Sequence, residues 1–209
     1  MGETTLILVR HGETEWNRQR RIQGQQDSAL TAEGRYQAAR VSEAIAHEKI
    51  RAAHASDLGR AIDTAKIICG PKDLAFKPDH RLRERGFGQA EGETWDNSLK
   101  RHGEKFQRSY SGIDYAELGI EPLGAVRDRA FASLQEIAQA NPSQTSLVIT
   151  HGGILAVILK EILGLPLNGP RNFDLRNCAI NRIINESGAW KLASWGETRH
   201  LENQSLDEL

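Results

Sequence analysis

Two distant segments of the chain share one organisation, in which a short apolar stretch ends abruptly at a histidine followed by glycine. They read Leu8-Val9-Arg10-His11-Gly12 and Val148-Ile149-Thr150-His151-Gly152. Each apolar stretch is typical of a buried strand that enters a loop. Parallel neighbouring strands end at the same edge of a sheet, where open α/β sheets bind their ligands. The pair therefore predicts that His11 and His151 project into one crevice.

The remainder of the chain alternates predicted strands with predicted helices. Strands are predicted at Leu6–Val9, Ala53–Ala55, Leu74–Phe76 and Leu147–Ile149, with a hairpin formed by Cys178–Ile184 and Trp190–Trp195. Helices are predicted from the N-cap Thr31 to about Glu48, from a cap at Ser56 or Asp57 to Gly70, from Pro122 to about residue 140, and from Gly152 to Leu163. Such alternation indicates an α/β fold, a three-layer sandwich with a mostly parallel central sheet and helices on both faces.

The chain is predicted to form a single domain, residues 1–209. Domains average about 150 residues, and no repeat, low-complexity segment or linker divides this sequence. Residues 86–121 are polar and irregular, and Trp95, Leu99 and Phe106 are their main apolar residues. We expect this segment to be a helical flap inserted over the active site.

Composition argues against several classes of function. The 27 Lys and Arg residues are balanced by 28 Asp and Glu residues, whereas a dedicated nucleic-acid-binding domain is strongly basic. The longest apolar run, Ile154–Leu159, is far shorter than the roughly 20 residues that span a bilayer. Cys69 and Cys178 form no CxxC pair, and the N-terminus has no basic leader. We expect a cytoplasmic protein with reduced, buried cysteines and no nucleic-acid or membrane partner; a homodimer stays open.

Arginines near the strand ends predict an anion site. Arg10 adjoins His11, and Arg60 lies near the start of the second predicted helix. Two guanidinium groups and a helix N-terminus together can hold a tetrahedral dianion. A neutral imidazole nitrogen can attack phosphorus and hold the phosphoryl group covalently. Arg10, Arg60 and a protonated second imidazole would then stabilise the charge on the equatorial oxygens.

A departing alkoxide needs a proton donor, and Glu84 is the candidate. It stands among arginines just before a glycine-rich turn, in Leu82-Arg83-Glu84-Arg85-Gly86-Phe87-Gly88. The sequence has no GxxxxGK[ST] motif and no Cys/His cluster with zinc-ligand spacing. It therefore predicts phosphoryl chemistry that uses neither a metal nor a cofactor.

These segments closely resemble the motifs of the histidine phosphatase superfamily, in its phosphoglycerate-mutase-like branch. The resemblance covers roughly residues 5 to 195. Its motifs are, in order, Leu8-Val9-Arg10-His11-Gly12-Glu13-Thr14-Glu15-Trp16-Asn17, Gln23-Gly24 with Asp27, Leu30 and Thr31, Ser56-Asp57-Leu58-Gly59-Arg60, Leu82-Arg83-Glu84 and Thr150-His151-Gly152.

The resemblance implies a phosphoglycerate-mutase-like fold, a small-molecule phosphate ester as substrate and a role for each matching residue. His11 would be the phosphorylated nucleophile, and Glu84 the general acid that later acts as the base activating water. The phosphate pocket would be formed by Arg10, Arg60 and His151. Hydrogen bonds to the phosphate or the substrate would come from Asn17, Gln23, Gly24 and Gly152.

The sequence departs from the family pattern in two places. Ile120-Glu121-Pro122 stands where many members carry Gly-Glu-Ser, which puts substrate contacts there in question. The segment after Glu84 is shorter than in the mutases, which must shield a phosphoenzyme from water. This favours metal-independent hydrolysis of phosphomonoesters.

Two alternatives stay open. Leu175-Arg176-Asn177-Cys178 and the tail ending in Leu206-Asp207-Glu208-Leu209 resemble a mutase-like subgroup, which would make the chain a 2,3-bisphosphoglycerate-dependent phosphoglycerate mutase. The third hypothesis is a catalytically silent module that binds phosphorylated ligands. The presence of His11, Glu84 and His151 together argues against it.

Overall fold

The computed structural model describes residues 2–112 and 117–201; the tail Leu206–Leu209 lies outside them. The strands are β1 (Thr4–Arg10), β2 (Ile50–Ala55), β3 (Phe76–Pro78), β4 (Thr145–Thr150), β5 (Ile180–Glu186) and β6 (Ala189–Glu197). The α-helices are α1 (Glu15–Arg18), α2 (Ala32–Ala44), α3 (Gly59–Cys69), α4 (Trp95–His102), α5 (Glu104–Tyr110), α6 (Leu123–Ala140) and α7 (Gly152–Ile162). Within the described residues, no helix combines the length and the hydropathy needed to cross a membrane.

The six strands form one sheet in the order β3-β2-β4-β1-β5-β6. The strands β1 to β4 are parallel, and β5 runs antiparallel to both of its neighbours. The predicted, mostly parallel sheet is therefore confirmed. In the pairing of β1 with β4, Arg10 lies opposite Thr150, so the residues that follow leave the sheet at the same edge.

Alternate side chains of β1 pack on opposite faces of the sheet. Ile7 and Val9 belong to the hydrophobic core formed with α2 and α3, and Leu6 and Leu8 belong to the core formed with α6 and α7. All four side chains are fully buried. A sheet with apolar residues on both faces needs a helical layer on each, and the predicted three-layer sandwich is confirmed.

Most predicted elements are present, with small shifts of their ends. Thr31 is the N-cap of α2, where its Oγ1 accepts a hydrogen bond from the Gly34 amide at 2.9 Å. The helix ends at Ala44, four residues before the predicted end. The third strand lies two residues later than predicted, since it is Phe76–Pro78 that pairs with β2.

The predicted N-cap of α3 is wrong. The cap position is occupied by Leu58 rather than by Ser56 or Asp57, and its side chain makes no capping hydrogen bond. The carboxylate of Asp27, from a distant loop, accepts the hydrogen bond of the Gly59 amide instead. An acceptor so far away in the chain leaves no local capping pattern in the sequence.

The described part of residues 86–121 contains two short α-helices, α4 and α5. The segment has a small core of its own, built on the fully buried side chain of Phe106. The ring centroids of Trp95 lie 4.8 Å from Phe106 and 4.5 Å from Tyr110. Aromatic contacts thus hold this segment together.

Leu134→Ala should lower the free energy of unfolding by about 2–5 kcal/mol, because it leaves a cavity between α6 and the sheet. Leu134 is fully buried, whereas Leu163 is 48% exposed. Leu163→Ala is therefore the matched control, with an expected change within about 0.5 kcal/mol. Urea unfolding followed by circular dichroism measures both, and equal effects would contradict the assigned core.

Candidate active site

The carboxyl ends of β1 and β4 bring two imidazole rings side by side. The ring centroids of His11 and His151 are 5.2 Å apart, and the ring planes are inclined at 57°. His11 is 2% exposed and His151 is fully buried. The two rings are therefore tilted neighbours and are both buried from solvent.

The hydrogen bonds of His11 identify its tautomer. Nδ1 lies 2.8 Å from the carbonyl oxygen of Gly12, which can only accept, so Nδ1 carries the proton. Nε2 then has a free lone pair, and it accepts a hydrogen bond from Nε of Arg60 at 3.3 Å. Burial, with the nearby charges of Arg60 and Arg10, holds the pKa of His11 well below its ordinary value. At neutral pH the ring is therefore uncharged.

Neither ring nitrogen of His151 has a hydrogen-bond partner among the described residues. Leaving a buried polar group unsatisfied costs about 1–3 kcal/mol, so such atoms in a crevice suit a ligand with polar atoms. Burial, Arg60 and His11 hold the pKa of His151 well below its ordinary value. The ring is neutral in the protein by itself, and the protonated second imidazole expected from the sequence requires an anion bound beside it.

Arg60, at the start of α3, is held on several sides. Its guanidinium pairs with Asp27 at 2.9 Å and donates to the carbonyl oxygens of Gly24 and Gln26, both at 2.7 Å. Its side chain is only 1% exposed. Burial lowers the pKa of Arg60, and the charges of Asp27 and Glu84 oppose that shift. Arg60 is therefore a cation with a fixed orientation.

Arg10 and the chain around it are fixed by the loop before β5. The Arg10 guanidinium donates to the carbonyl oxygen of Leu175, and the side-chain amide of Asn177 donates to the carbonyl oxygen of His11 at 2.9 Å. A Cβ added at Gly152 would lie 3.4 Å from Nε of Arg10. This is an ordinary van der Waals distance, which shows that the start of α7 lies next to this guanidinium.

Glu84 lies against the N-terminus of α7. One carboxylate oxygen accepts a hydrogen bond from the Gly153 amide at 2.9 Å, and the other accepts one from the Arg85 amide at 2.7 Å. A Cβ at position 153 would overlap the Glu84 carboxylate. Glu84 is also close enough to Arg60 to oppose the lowering of its pKa.

The polar residues Asn17, Gln23 and Gly24 border the same site. Asn17 is buried, and its Oδ1 accepts a hydrogen bond from the Thr14 amide at 2.9 Å. Gln23 is buried too, and its Oε1 has no hydrogen-bond partner among the described residues. Gly24 has a φ of 53°, a conformation that glycine adopts readily, and it presents its carbonyl to Arg60.

All of the predicted site residues except His151 line one cavity of ≈ 140 Å³, and His151 lies beside it against His11. The cavity is also lined by residues that the sequence did not predict, among them Arg21, Phe87, Trp95, Tyr110, Gly153 and Arg171. Gly153 directly follows the motif Thr150-His151-Gly152, so its position in the sequence indicates that it lies near the site. Phe87, Trp95 and Tyr110 belong to the segment expected to cover the site, although no pattern marks them individually as lining residues. Arg21 and Arg171 have no signal in the sequence, and only the fold brings them to the cavity.

Three aromatic side chains, Phe87, Trp95 and Tyr110, form an aromatic wall in the lining of the cavity. The rings of Phe87 and Tyr110 stack with centroids 5.7 Å apart, and Trp95 meets Tyr110 edge-on. Arg85 is buried and donates to the carbonyl oxygens of Ser109 and Tyr110 at 2.9 and 2.8 Å, which fixes the end of α5. The lining of the cavity therefore combines guanidinium groups suited to an anion with aromatic rings suited to an organic group.

The comparison with known proteins agrees with this geometry. A profile of the histidine phosphatase superfamily (branch 1) matches residues 6–198. The chain belongs to this superfamily. It is an enzyme of the histidine phosphatase and phosphoglycerate-mutase-like kind, as the sequence predicts.

Relatives with both kinds of name are similar to this histidine phosphatase. The probable phosphoglycerate mutase GpmB of Erwinia tasmaniensis is 38% identical over 213 residues, with 98% of each chain covered. The structure of Bacillus stearothermophilus YhfR has a TM-score of 0.89 and 31% identity, covering 95% of this chain and 99% of that one. Phosphoserine phosphatase from Entamoeba histolytica, solved with 3-phosphoglyceric acid, has a TM-score of 0.82, 30% identity and coverages of 95% and 99%.

The buried neutral histidines predict that this enzyme loses stability in mild acid. Because the pKa values of His11 and His151 are lowered in the folded state, the unfolded chain binds more protons below about pH 6.5. The free energy of unfolding should therefore fall with decreasing pH, by up to about 1.4 kcal/mol per pH unit for each histidine. Urea titrations between pH 7.5 and 5 measure this slope.

The variant His151→Asn is the control for the origin of that slope. It removes one of the two titrating rings, so the fall in stability with pH should be clearly shallower than in the wild type. Identical slopes in the two proteins would contradict the assigned ionisation states.

Proposed function

We propose that this histidine phosphatase hydrolyses small phosphate monoesters of the cytoplasm through a phosphohistidine on His11. The observation that carries the proposal is the unprotonated Nε2 of His11, directed at the buried guanidinium of Arg60 and beside the unpaired nitrogens of His151. A nucleophile surrounded by fixed cationic and neutral donors suits attack on a phosphate dianion.

In the first step the lone pair of Nε2 attacks phosphorus and the bond from phosphorus to the ester oxygen breaks. Arg10 and Arg60 stabilise the charge on the equatorial oxygens, and His151 contributes a further donor once the dianion favours its protonated form. Asn17, Gln23, and the backbone at Gly24 and Gly152 contribute hydrogen bonds to the phosphate or the substrate. Glu84 protonates the leaving alkoxide, which departs as the alcohol.

In the second step Glu84, now a carboxylate, takes a proton from water. The resulting hydroxide attacks phosphorus, the phosphorus–nitrogen bond breaks and its electron pair returns to Nε2 of His11. Inorganic phosphate leaves, and the proton on Glu84 restores the acid for the next cycle.

Hydrolysis is favoured over phosphoryl transfer between substrates by the size of the segment that covers the site. We propose that residues 86–121 act as the flap of the single domain; its helices α4 and α5 have eight and seven residues. Retaining a phosphoenzyme requires water to be excluded from it over the time of substrate exchange. The name of the Erwinia tasmaniensis relative keeps phosphoglycerate mutase activity as the second candidate.

The variant His11→Ala should lose hydrolysis of a phosphomonoester by on the order of 10³-fold or more, because no other group replaces the nucleophile. His47→Ala is the control, since the His47 side chain is 78% exposed. Activity should also persist in EDTA, because arginines supply the positive charge. An acid-labile phosphoenzyme trapped with the wild type and absent from His11→Ala would support the intermediate, and EDTA-sensitive turnover would contradict the proposal.

A direct competition assay separates hydrolysis from mutase activity. The enzyme is given 3-phosphoglycerate with 2,3-bisphosphoglycerate, and the release of phosphate and the appearance of 2-phosphoglycerate are followed together. Alongside, a panel of metabolite phosphates is screened without divalent metal. We expect phosphate release to be the faster process on the best substrate; faster isomerisation would support the mutase, and binding without any turnover would support a silent module.

A further inference from the structure

A half-buried arginine on α6 binds the main chain around Glu84. The guanidinium of Arg129 donates to the carbonyl oxygens of Arg81 at 2.8 Å, Arg83 at 2.6 Å and Glu84 at 3.0 Å. Three carbonyls from one short segment thus converge on a single side chain. Because the guanidinium is planar and its donors have fixed directions, this contact fixes both the position and the direction of the segment.

Glu121 completes the arrangement from the other side. Its carboxylate receives two hydrogen bonds from Arg129, at 2.7 and 2.8 Å, and a third from the Gly86 amide at 3.0 Å. The Arg129 and Glu121 side chains are 18% and 20% exposed. The ion pair therefore holds the chain on both sides of Glu84, through the carbonyls before it and the amide after it.

These contacts bear on whether Ile120-Glu121-Pro122, which stands where many family members carry Gly-Glu-Ser, contacts the substrate. Glu121 is not among the residues that line the cavity beside His11; its carboxylate accepts hydrogen bonds from Arg129 and from the Gly86 amide. Its role is thus separate from direct contact with a substrate.

The Glu84 segment needs such external support. Between the short 3₁₀ turns at His80–Leu82 and Gly88–Ala90 the chain has no helix or strand of its own. The Glu84 carboxylate is held only by two backbone amides, those of Gly153 and Arg85, among the contacts described. A misplacement of about 1 Å in a catalytic group can reduce rate 10²-fold.

We propose that Arg129 and Glu121 are positioning residues for the general acid of this enzyme, holding Glu84 at the distance and angle from which it protonates the leaving group. The inference rests on the proposed function, because it assumes that Glu84 is that acid. It predicts a specific pattern of kinetic loss, which depends on the leaving group of the substrate.

The test compares two substrates with Arg129→Lys, which keeps the charge but cannot donate to all of these oxygens at once. The leaving group of p-nitrophenyl phosphate departs with little protonation, whereas that of glycerol 3-phosphate requires an acid. We expect kcat/KM for glycerol 3-phosphate to fall about 10- to 100-fold, within the contribution of a general acid, and that for p-nitrophenyl phosphate to fall less than about 3-fold. Equal losses on both substrates, or no loss, would overturn the proposal.

Two variants make the outcome specific. Arg127→Lys is the matched control on the same helix, because Arg127 pairs only with exposed Asp128 among the contacts described; it should leave both substrates unchanged. Glu121→Gln keeps an acceptor for the Gly86 amide but loses the negative charge. It should lower kcat/KM for glycerol 3-phosphate more than for p-nitrophenyl phosphate, by a smaller factor than Arg129→Lys. If thermal unfolding shows that Arg129→Lys does not fold, Glu121→Gln is used as the test variant in its place.

Glu84→Gln is the reference that separates this proposal from the proposed function. In this variant kcat/KM for glycerol 3-phosphate should fall more than kcat/KM for p-nitrophenyl phosphate, and the difference should be larger than in Arg129→Lys. If Glu84→Gln shows that difference and neither Arg129→Lys nor Glu121→Gln does, the positioning role fails while the proposed function stands. If kcat/KM of Glu84→Gln falls equally on both substrates, the assignment of the acid fails and the positioning role with it, because kcat/KM reports departure of the leaving group and not the later hydrolysis of the phosphoenzyme, in which Glu84 is the base.

Discussion

The hydrogen-bonded register between β1 and β4 is the constraint on which the site depends. The His11 amide extends the hydrogen bonding between the two strands by donating to the carbonyl oxygen of Thr150 at 2.9 Å. His11 and His151 therefore follow the ends of the two strands at the same level of the sheet edge. The register is in turn held by packing, since β1 buries apolar side chains on both faces of the sheet. A slip of one residue would exchange the two faces and separate the rings. The hydrophobic core and the positions of the two histidines are therefore set by the same pairing.

Charge in this site is arranged before a substrate arrives. Arg60 is buried, and the cost of removing it from water is offset by Asp27 and by backbone carbonyl oxygens. Its proximity, together with burial, keeps His11 and His151 neutral. In the proposed mechanism the neutral His11 acts as the nucleophile, and His151 gains a proton when a dianion is bound. Donors that are already oriented need little reorganisation during the reaction, which is the main way in which a polar site accelerates phosphoryl transfer. The same logic extends to Glu84, whose chain is held by Arg129 and not by regular secondary structure.

Much of the fold follows from local patterns. The apolar strands ending at His11 and His151 are visible in the sequence because burial on both faces demands continuous apolar runs. The Thr31 cap is visible because its hydrogen bond closes within one helical turn. The start of α3 was misplaced for the opposite reason: its first amides are capped by Asp27, and no local rule relates positions so far apart. The contacts among Phe87, Trp95 and Tyr110 cannot be predicted from the sequence, since these three residues of the expected flap show no common spacing.

By itself the sequence determined which chemical groups the chain possesses and the sheet edge at which two of them meet, because strand length, hydropathy and glycine content act over a few residues. The tertiary structure decided the protonation, the hydrogen bonding and the direction of those groups. The position of the proton on His11 depends on hydrogen bonds with Gly12 and Arg60. The nitrogens of His151 have no hydrogen-bond partner among the described residues, because the fold places no donor or acceptor of these residues within reach. The direction of Glu84 depends on contacts with α6 and α7. Hydrogen bonds act over about 3 Å between atoms of any two segments, so only the folded chain defines them.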